Sequence, residues 1–372
     1  MSVPLNYHQP IDQHVRYCAR SAMTAICAAV LVSMTSCNKT ESQQSTTQPP
    51  SAASLPAPKM VVSEENADQE KLCERTKSLF RQRDFNALDK LAHELREAKQ
   101  ILPNGAWALR SFYSGVEAIS DDAPDDQWES LLGTLKEWIK TKPESITPRV
   151  ALAEVLVSYA WKARGTDYAD TITEKGAKLM EERLAMAHSS LGEARKLEEK
   201  CPRWWPAAQD AALGEGMEMD AYDKLCEEGL SVYPENQIIY LYKAYFLQPR
   251  WYGEEGQWEK FAADSAEKIG GKEGDILYAR IIWYLDGKHF FRNIFSDSKV
   301  RWERVKRSFD ALLSKYPDSL GVMSEFARLA CNAADWAKAR ELFLRIGGRV
   351  DSAVWSKTED FLRYRDDAFA HQ

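Results

Sequence analysis

WERVKRSFDALLSKYPDS at residues 302–319 and WAKARELFLRIGG at residues 336–348 decide the fold. Trp302, Val305, Phe309 and Leu312 in the first stretch recur as Trp336, Ala339, Phe343 and Ile346 in the second, 34 residues further on at all four positions. Spacings of three and four residues lay each quartet along one face of an α-helix. The same spacing returns as Trp128, Leu131, Leu135 and Trp138, and again as Phe85, Leu88, Ala92 and Leu95. Weaker forms stand at Ser190, Ala194 and Leu197 and at Tyr222, Cys226 and Gly229. Pro143, Pro202, Pro234 and Pro317 follow four of these copies by five residues, where a proline ends a helix because it cannot donate to the hydrogen-bond ladder. Pro143-Glu144-Ser145, Pro234-Glu235-Asn236 and Pro317-Asp318-Ser319 then set Ser or Asn where its side chain can accept from the first N–H groups of the next helix. Ahead of two copies, Tyr278-Ala279 and Phe326-Ala327 pair a large with a small residue, which lets two helices of a hairpin approach closely.

A 34-residue period of helix pairs resembles the tetratricopeptide repeat. The resemblance runs from about Asn66 to the C-terminus and is carried most fully by Leu277–Gly347, whose first hairpin holds an insertion around His289–Lys299. It implies an all-α, tetratricopeptide-like α-solenoid, whose concave surface would hold a peptide or another protein without catalytic chemistry. A closed bundle or an orthogonal helical domain is the other architecture open, because several copies lie more than 34 residues apart. Leu247-Gln248-Pro249-Arg250-Trp251-Tyr252-Gly253 also resembles an uncharacterised bacterial helical family with an L-x-P-R-W-x-G signature. That family brings no activity with it.

The N-terminus reads as an address. Arg16 and Arg20 precede AMTAICAAVLVSM (residues 22–34), the charged and short apolar regions of an export signal, too short to span a bilayer. Met34-Thr35-Ser36-Cys37 resembles the bacterial lipobox, with Met34 where Leu is usual. The resemblance implies cleavage after residue 36 and a lipid on Cys37, and Asn38 after it implies sorting to the outer membrane, facing the periplasm. Ordinary cleavage without lipid is the alternative. NKTESQQSTTQPPSAASLPAPK (residues 38–59) is rich in Ser, Thr, Gln and Pro and lacks the apolar surface needed to fold. The expected organisation is therefore a signal peptide at 1–36, a lipidated and disordered linker at 37–64, and a helical repeat domain at 65–372. Export as a lipoprotein would place the protein in the cell envelope, held to the membrane through its N-terminal lipid.

Composition narrows the function classes. Forty-nine basic against 56 acidic residues give a net charge of −7, and no stretch concentrates Lys and Arg enough for nucleic acid. Seven cysteines show no C-x-x-C pair, and the histidines at 93, 188, 289 and 371 are dispersed, so neither a metal nor another cofactor is expected. Cys201 and Cys226 are open either to a disulfide or to burial as small apolar residues. Asp121, Asp122, Asp125 and Asp126 read as charges at a helix N-terminus, and Gly270-Gly271-Lys272 as a helix end. No catalytic motif is recognisable. Pro202-Arg203-Trp204-Trp205 is echoed by Pro249-Arg250-Trp251-Tyr252. Arginine beside aromatics can stack on sugars or peptides, so Arg203, Trp204, Trp205, Arg250, Trp251 and Tyr252 are the candidate binding residues. Loops of this kind also wedge between helix pairs. The reading is a non-catalytic interaction scaffold for an envelope protein or peptide. A cell-wall glycan or peptidoglycan binder is the alternative, and an envelope hydrolase the third.

Overall fold

The computed structural model describes residues 55–165, 173–288 and 290–371. The expected leader, Cys37 and most of the linker lie outside these residues. Within them the fold is all-α, with sixteen helices and one pair of three-residue strands.

The helices are of two kinds. α2 (Phe85–Ala98), α4 (Asp125–Thr141), α6 (Glu174–Lys196), α8 (Met219–Val232), α10 (Gln257–Ile269), α13 (Trp302–Lys315) and α15 (Trp336–Ile346) bury one face. Six of the seven carry the recurring apolar spacing, and Leu88, Leu135, Phe309 and Phe343 are fully buried. Between them run α3 (Leu109–Val116), α5 (Thr147–Arg164), α7 (Trp204–Glu215), α9 (Ile238–Phe246), α11 (Gly271–Asp286) and α14 (Leu320–Asn332). Every residue of α3 is buried, as is nearly all of α14. The cause is composition: VALAEVLVSYAW at residues 150–161 of α5 has no polar face to give to water. These buried helices touch one another as well as their amphipathic neighbours, α7 packing on α5 and α9, and α9 on α11.

The two quartets behave as equivalents. α11 pairs with α13 and α14 with α15, while a short helix, α12 (Ile294–Asp297), occupies the insertion. Phe309 packs on Phe326 of α14 with ring centroids 5.3 Å apart, and Phe343 packs on Phe361 of the last helix, α16 (Thr358–Ala370), at 5.4 Å. Trp302 and Trp336 are half-buried, and the Trp302 indole donates to Asp335, the residue that caps α15, at 3.0 Å.

The two ends of the described chain meet. β1 (Lys59–Val61) pairs in parallel with β2 (Arg349–Asp351), Met60 opposite the fully buried Val350. Residues 59–61 therefore belong to the folded body, although the sequence placed them in the linker. Their pairing partner is remote, and three residues carry no alternation of their own. Beyond β1, α1 (Glu64–Arg81) is tied to the C-terminal half: Ser319 donates to Glu65 at 2.9 Å and Asn66 to Asp351 at 3.3 Å. Arg280, 1% exposed, donates to the carbonyls of Pro103 (3.0 Å) and Leu102 (3.2 Å), to the Tyr316 hydroxyl (3.0 Å) and to Gln237. The helical array thus closes on itself around an interior space. Cys201 and Cys226 are both buried and free: Cys201 lies 3.3 Å from the Tyr113 hydroxyl, and Cys226 accepts from Gln209 at 3.3 Å.

Candidate functional site

Closure leaves a cavity of about 150 Å³ lined from α1, α3, α9, α11, α14 and β2. Its two sides differ in charge. On one side Arg110 of α3, Arg203 just ahead of α7 and Lys288 just beyond α11 reach the cavity. Behind the two arginines, Glu154 projects from the apolar α5, accepting from Arg203 Nε and lying 3.5 Å from Arg110 Nη1; Glu117 lies 3.6 Å from Arg110 Nη2. Burial alone would push the Arg203 guanidinium toward neutrality, but the Glu154 carboxylate outweighs it and holds the guanidinium above its usual range. Lys288 lies 4.8 Å from the ring of Tyr284 and 5.8 Å from that of Tyr245. Burial pushes its amine down to about 7, against the pull of Asp210. Burial likewise pushes the Asp210 carboxyl up to about 7, and its Oδ1 accepts no hydrogen bond among the described residues.

On the other side stand Glu65 and Asn66 of α1, Trp283 of α11, Gly321 of α14 and Asp351 of β2. Burial raises both carboxyl groups above their ordinary range, and the charge of Asp351 raises Glu65 further. Gly321 is what lets them converge. A Cβ there would lie 2.7 Å from Glu65 Oε1, 3.3 Å from Asp351 Oδ2 and 3.5 Å from Trp283 Cη2.

Glu65, Gln69, Pro103 and Ser111 also line a second, larger space, a groove of about 800 Å³ along β1, α1 and the turn between α13 and α14. Cavity and groove therefore adjoin, sharing part of their lining. The groove is apolar at Val61, Leu72, Ile101 and Leu102 and carries charges of both signs, Glu64, Asp68 and Asp318 with Lys315 and Arg349.

The sequence-predicted residues do not form one surface. Trp204 and Trp205 are buried, with the Trp204 indole donating to the Leu191 carbonyl at 2.9 Å and Trp205 set against Tyr233 at 5.5 Å. Trp205 also lies on Gly229 of α8, where a Cβ would come within 2.5 Å of the indole. Trp251 is half-buried between Trp161 (5.7 Å) and Tyr245 (5.5 Å), and the Arg250 guanidinium sits 3.4 Å over Phe290. Tyr252 is 42% exposed, but its hydroxyl donates to the Leu213 carbonyl at 3.0 Å and its ring stacks on Phe246. Both Pro-Arg-aromatic segments are thus wedges between helices, and only Arg203 among the six lines the cavity. Cys37, the predicted lipidation site, lies outside the described residues.

Sequence reasoning missed Glu65, Arg110, Lys288 and Asp351. One signal was available for the network behind them: Glu154 is the single charge within VALAEVLVSYAW. Among the described residues no cluster of His, Cys, Asp and Glu could hold a metal ion, and no helix is long and apolar enough to cross a membrane. Compared with known proteins, the chain matches no family model, no curated protein and no solved structure.

Proposed function

We propose that this is a non-catalytic, membrane-tethered binding protein of the bacterial cell envelope, which holds a peptide segment of an envelope partner in the groove beside β1. The observation that carries the reading is the groove itself, partly apolar, adjoining a charged cavity, and built from both ends of the described residues. The alternation of amphipathic and buried helices supports a degenerate tetratricopeptide-like array, in which the buried helices face the ligand. The lipobox-like Met34-Thr35-Ser36-Cys37 supports the tether. A glycan-binding role is disfavoured because the aromatics it would use are spent on helix packing.

The test places a photo-crosslinking residue at Val62, 44% exposed and in the groove, and at Met186, equally exposed on α6, as control. The expected result is an adduct from Val62 alone that maps to one peptide segment of an envelope protein. Adducts equal at both positions overturn the reading. Cys37→Ser is expected to release the protein from membranes, and an unchanged membrane fraction rejects the anchor. One observation favours a hydrolase as the second reading: two carboxyl groups with raised pKa converge at a cavity, the resource of acid–base catalysis. Cleavage of peptidoglycan by the purified protein, lost in Glu65→Gln, would establish that reading.

A further inference from the structure

We propose that Lys288 is a carbonyl-reactive lysine, whose side-chain amine condenses with a small uncharged aldehyde or ketone held in the cavity. The site stands apart from the groove reading, because it needs no peptide and would remain if the groove held none.

Lys288 follows α11 closely, and its backbone N–H donates to the Leu285 carbonyl at 3.2 Å, which pins the main chain at the cavity wall. The residue is half-buried, and its amine lies over two rings, 4.8 Å from the centre of Tyr284 and 5.8 Å from that of Tyr245. The cavity that it lines is walled in large part by Ile238, Leu241, Tyr242, Trp283 and Val354. The charged groups that act on the amine are Asp210 of α7, which favours its proton, and Arg110 of α3, which opposes it. Removal from water outweighs Asp210, so the amine is pushed down to about 7. At neutral pH roughly half of it then carries a lone pair, against less than about one part in a thousand for an exposed lysine titrating near ~10.4.

A desolvated lysine at a concave, largely apolar surface is the arrangement that makes an amine a nucleophile toward a carbonyl carbon. The nitrogen lone pair bonds to that carbon, the π pair moves to oxygen, and one hydrogen passes from nitrogen to oxygen. The second hydrogen leaves nitrogen with the hydroxyl, as water, while the C=N bond forms. Both amine hydrogens thus depart on the carbonyl oxygen, nothing is oxidised or reduced, and no co-reactant is needed. The walls suit an uncharged compound. Arg203 is engaged with Glu154, and Arg110 lies 3.5 Å from Glu154 and 3.6 Å from Glu117, so the basic side offers no surplus of charge to an anion. Glu65 and Asp351 across the cavity would repel one. A space of about 150 Å³ also falls below what drug-sized ligands occupy, which restricts the compound to a small one.

The experiment treats the full chain in detergent at neutral pH with propanal and sodium cyanoborohydride, which fixes each imine as a propyl-lysine, and follows every lysine by peptide mass spectrometry from the earliest times. Lys288 is expected to be modified at least tenfold faster than the exposed Lys71 and Lys90. Peptide mapping separates it from the N-terminal amine. Modification of Lys288 at an equal or slower rate overturns the proposal, and is the result expected of an ammonium kept charged by Asp210. Two further measurements place the reaction in the cavity. In concentrated urea the preference is expected to vanish, whereas its persistence would assign the reactivity to local sequence and overturn the site. Pyrenecarboxaldehyde, too large for the cavity, is expected to label the exposed lysines and spare Lys288. Labelling that again favours Lys288 would put the amine on open surface, which also overturns the proposal.

Discussion

Arg280 shows how a single side chain can hold distant parts of this molecule together. Its guanidinium satisfies two carbonyls of the 102–103 turn, the Gln237 side chain ahead of α9 and the Tyr316 hydroxyl after α13. Replacing it with methionine fills similar volume but strips buried acceptors of their donor. With each such acceptor costing about 1–3 kcal/mol, Arg280→Met is expected to lose roughly 3 kcal/mol or more in urea unfolding. A loss under about 1 kcal/mol would show that water replaces the guanidinium. Asp210 carries a pH signature of definite sign. Its carboxyl is raised from 3.8 to about 7 in the folded protein, so the folded state binds the extra proton. Its contribution to stability is complete below about pH 4 and is lost as pH rises toward 7, a change of up to roughly 4 kcal/mol. Asp210→Asn cannot titrate, so its gain over wild type should be largest near pH 8 and should shrink toward pH 4. Lys288, largely neutral at pH 8, loses little from the change there. Thermal midpoints across that range check it, and a difference independent of pH rejects it.

At the scale of elements, legibility depended on where a helix lies. The amphipathic helices announced themselves because one face meets water, which imposes the three-and-four spacing seen at Trp128, Phe309 and Phe343. The helices between them did so weakly: α5 is buried nearly all round, and a helix without a polar face leaves no stripe to read. The Pro-Arg-aromatic echo was legible as a pattern and misleading as a surface, since nothing local distinguishes a wedge from a platform. Gly229 makes the wedge testable. Gly229→Ala drives a methyl into Trp205 and Ile239, and is expected to cost about 1–3 kcal/mol through overpacking. Gly133, in the open face of α4, has nothing within 4 Å of its Cβ position. Gly133→Ala should therefore gain about 0.5–1 kcal/mol from helix propensity alone. Parity between the two variants in chemical denaturation would deny the close packing of α7 on α8.

Over the whole molecule, the candidate site was the least legible feature because closure creates it. Asn66 and Asp351 are 285 residues apart, and no spacing rule links them. Composition could not bring α1 to β2. Deleting residues 38–54 is expected to leave the thermal midpoint unchanged, whereas deleting 38–62 removes β1 and should lower it while opening the groove to protease. Equal midpoints for the two truncations would show that the strand pair contributes nothing. The pairing of β1 with β2 has a mechanical side as well. Any pull on the chain ahead of residue 55 reaches the three-residue β1 before it reaches a helix, and this strand is held by few hydrogen bonds. Such a joint yields early under load. Stretching the N-terminal segment would free β1 first and loosen one wall of the groove, so that under the proposed lipid tether distance from the membrane would govern grip.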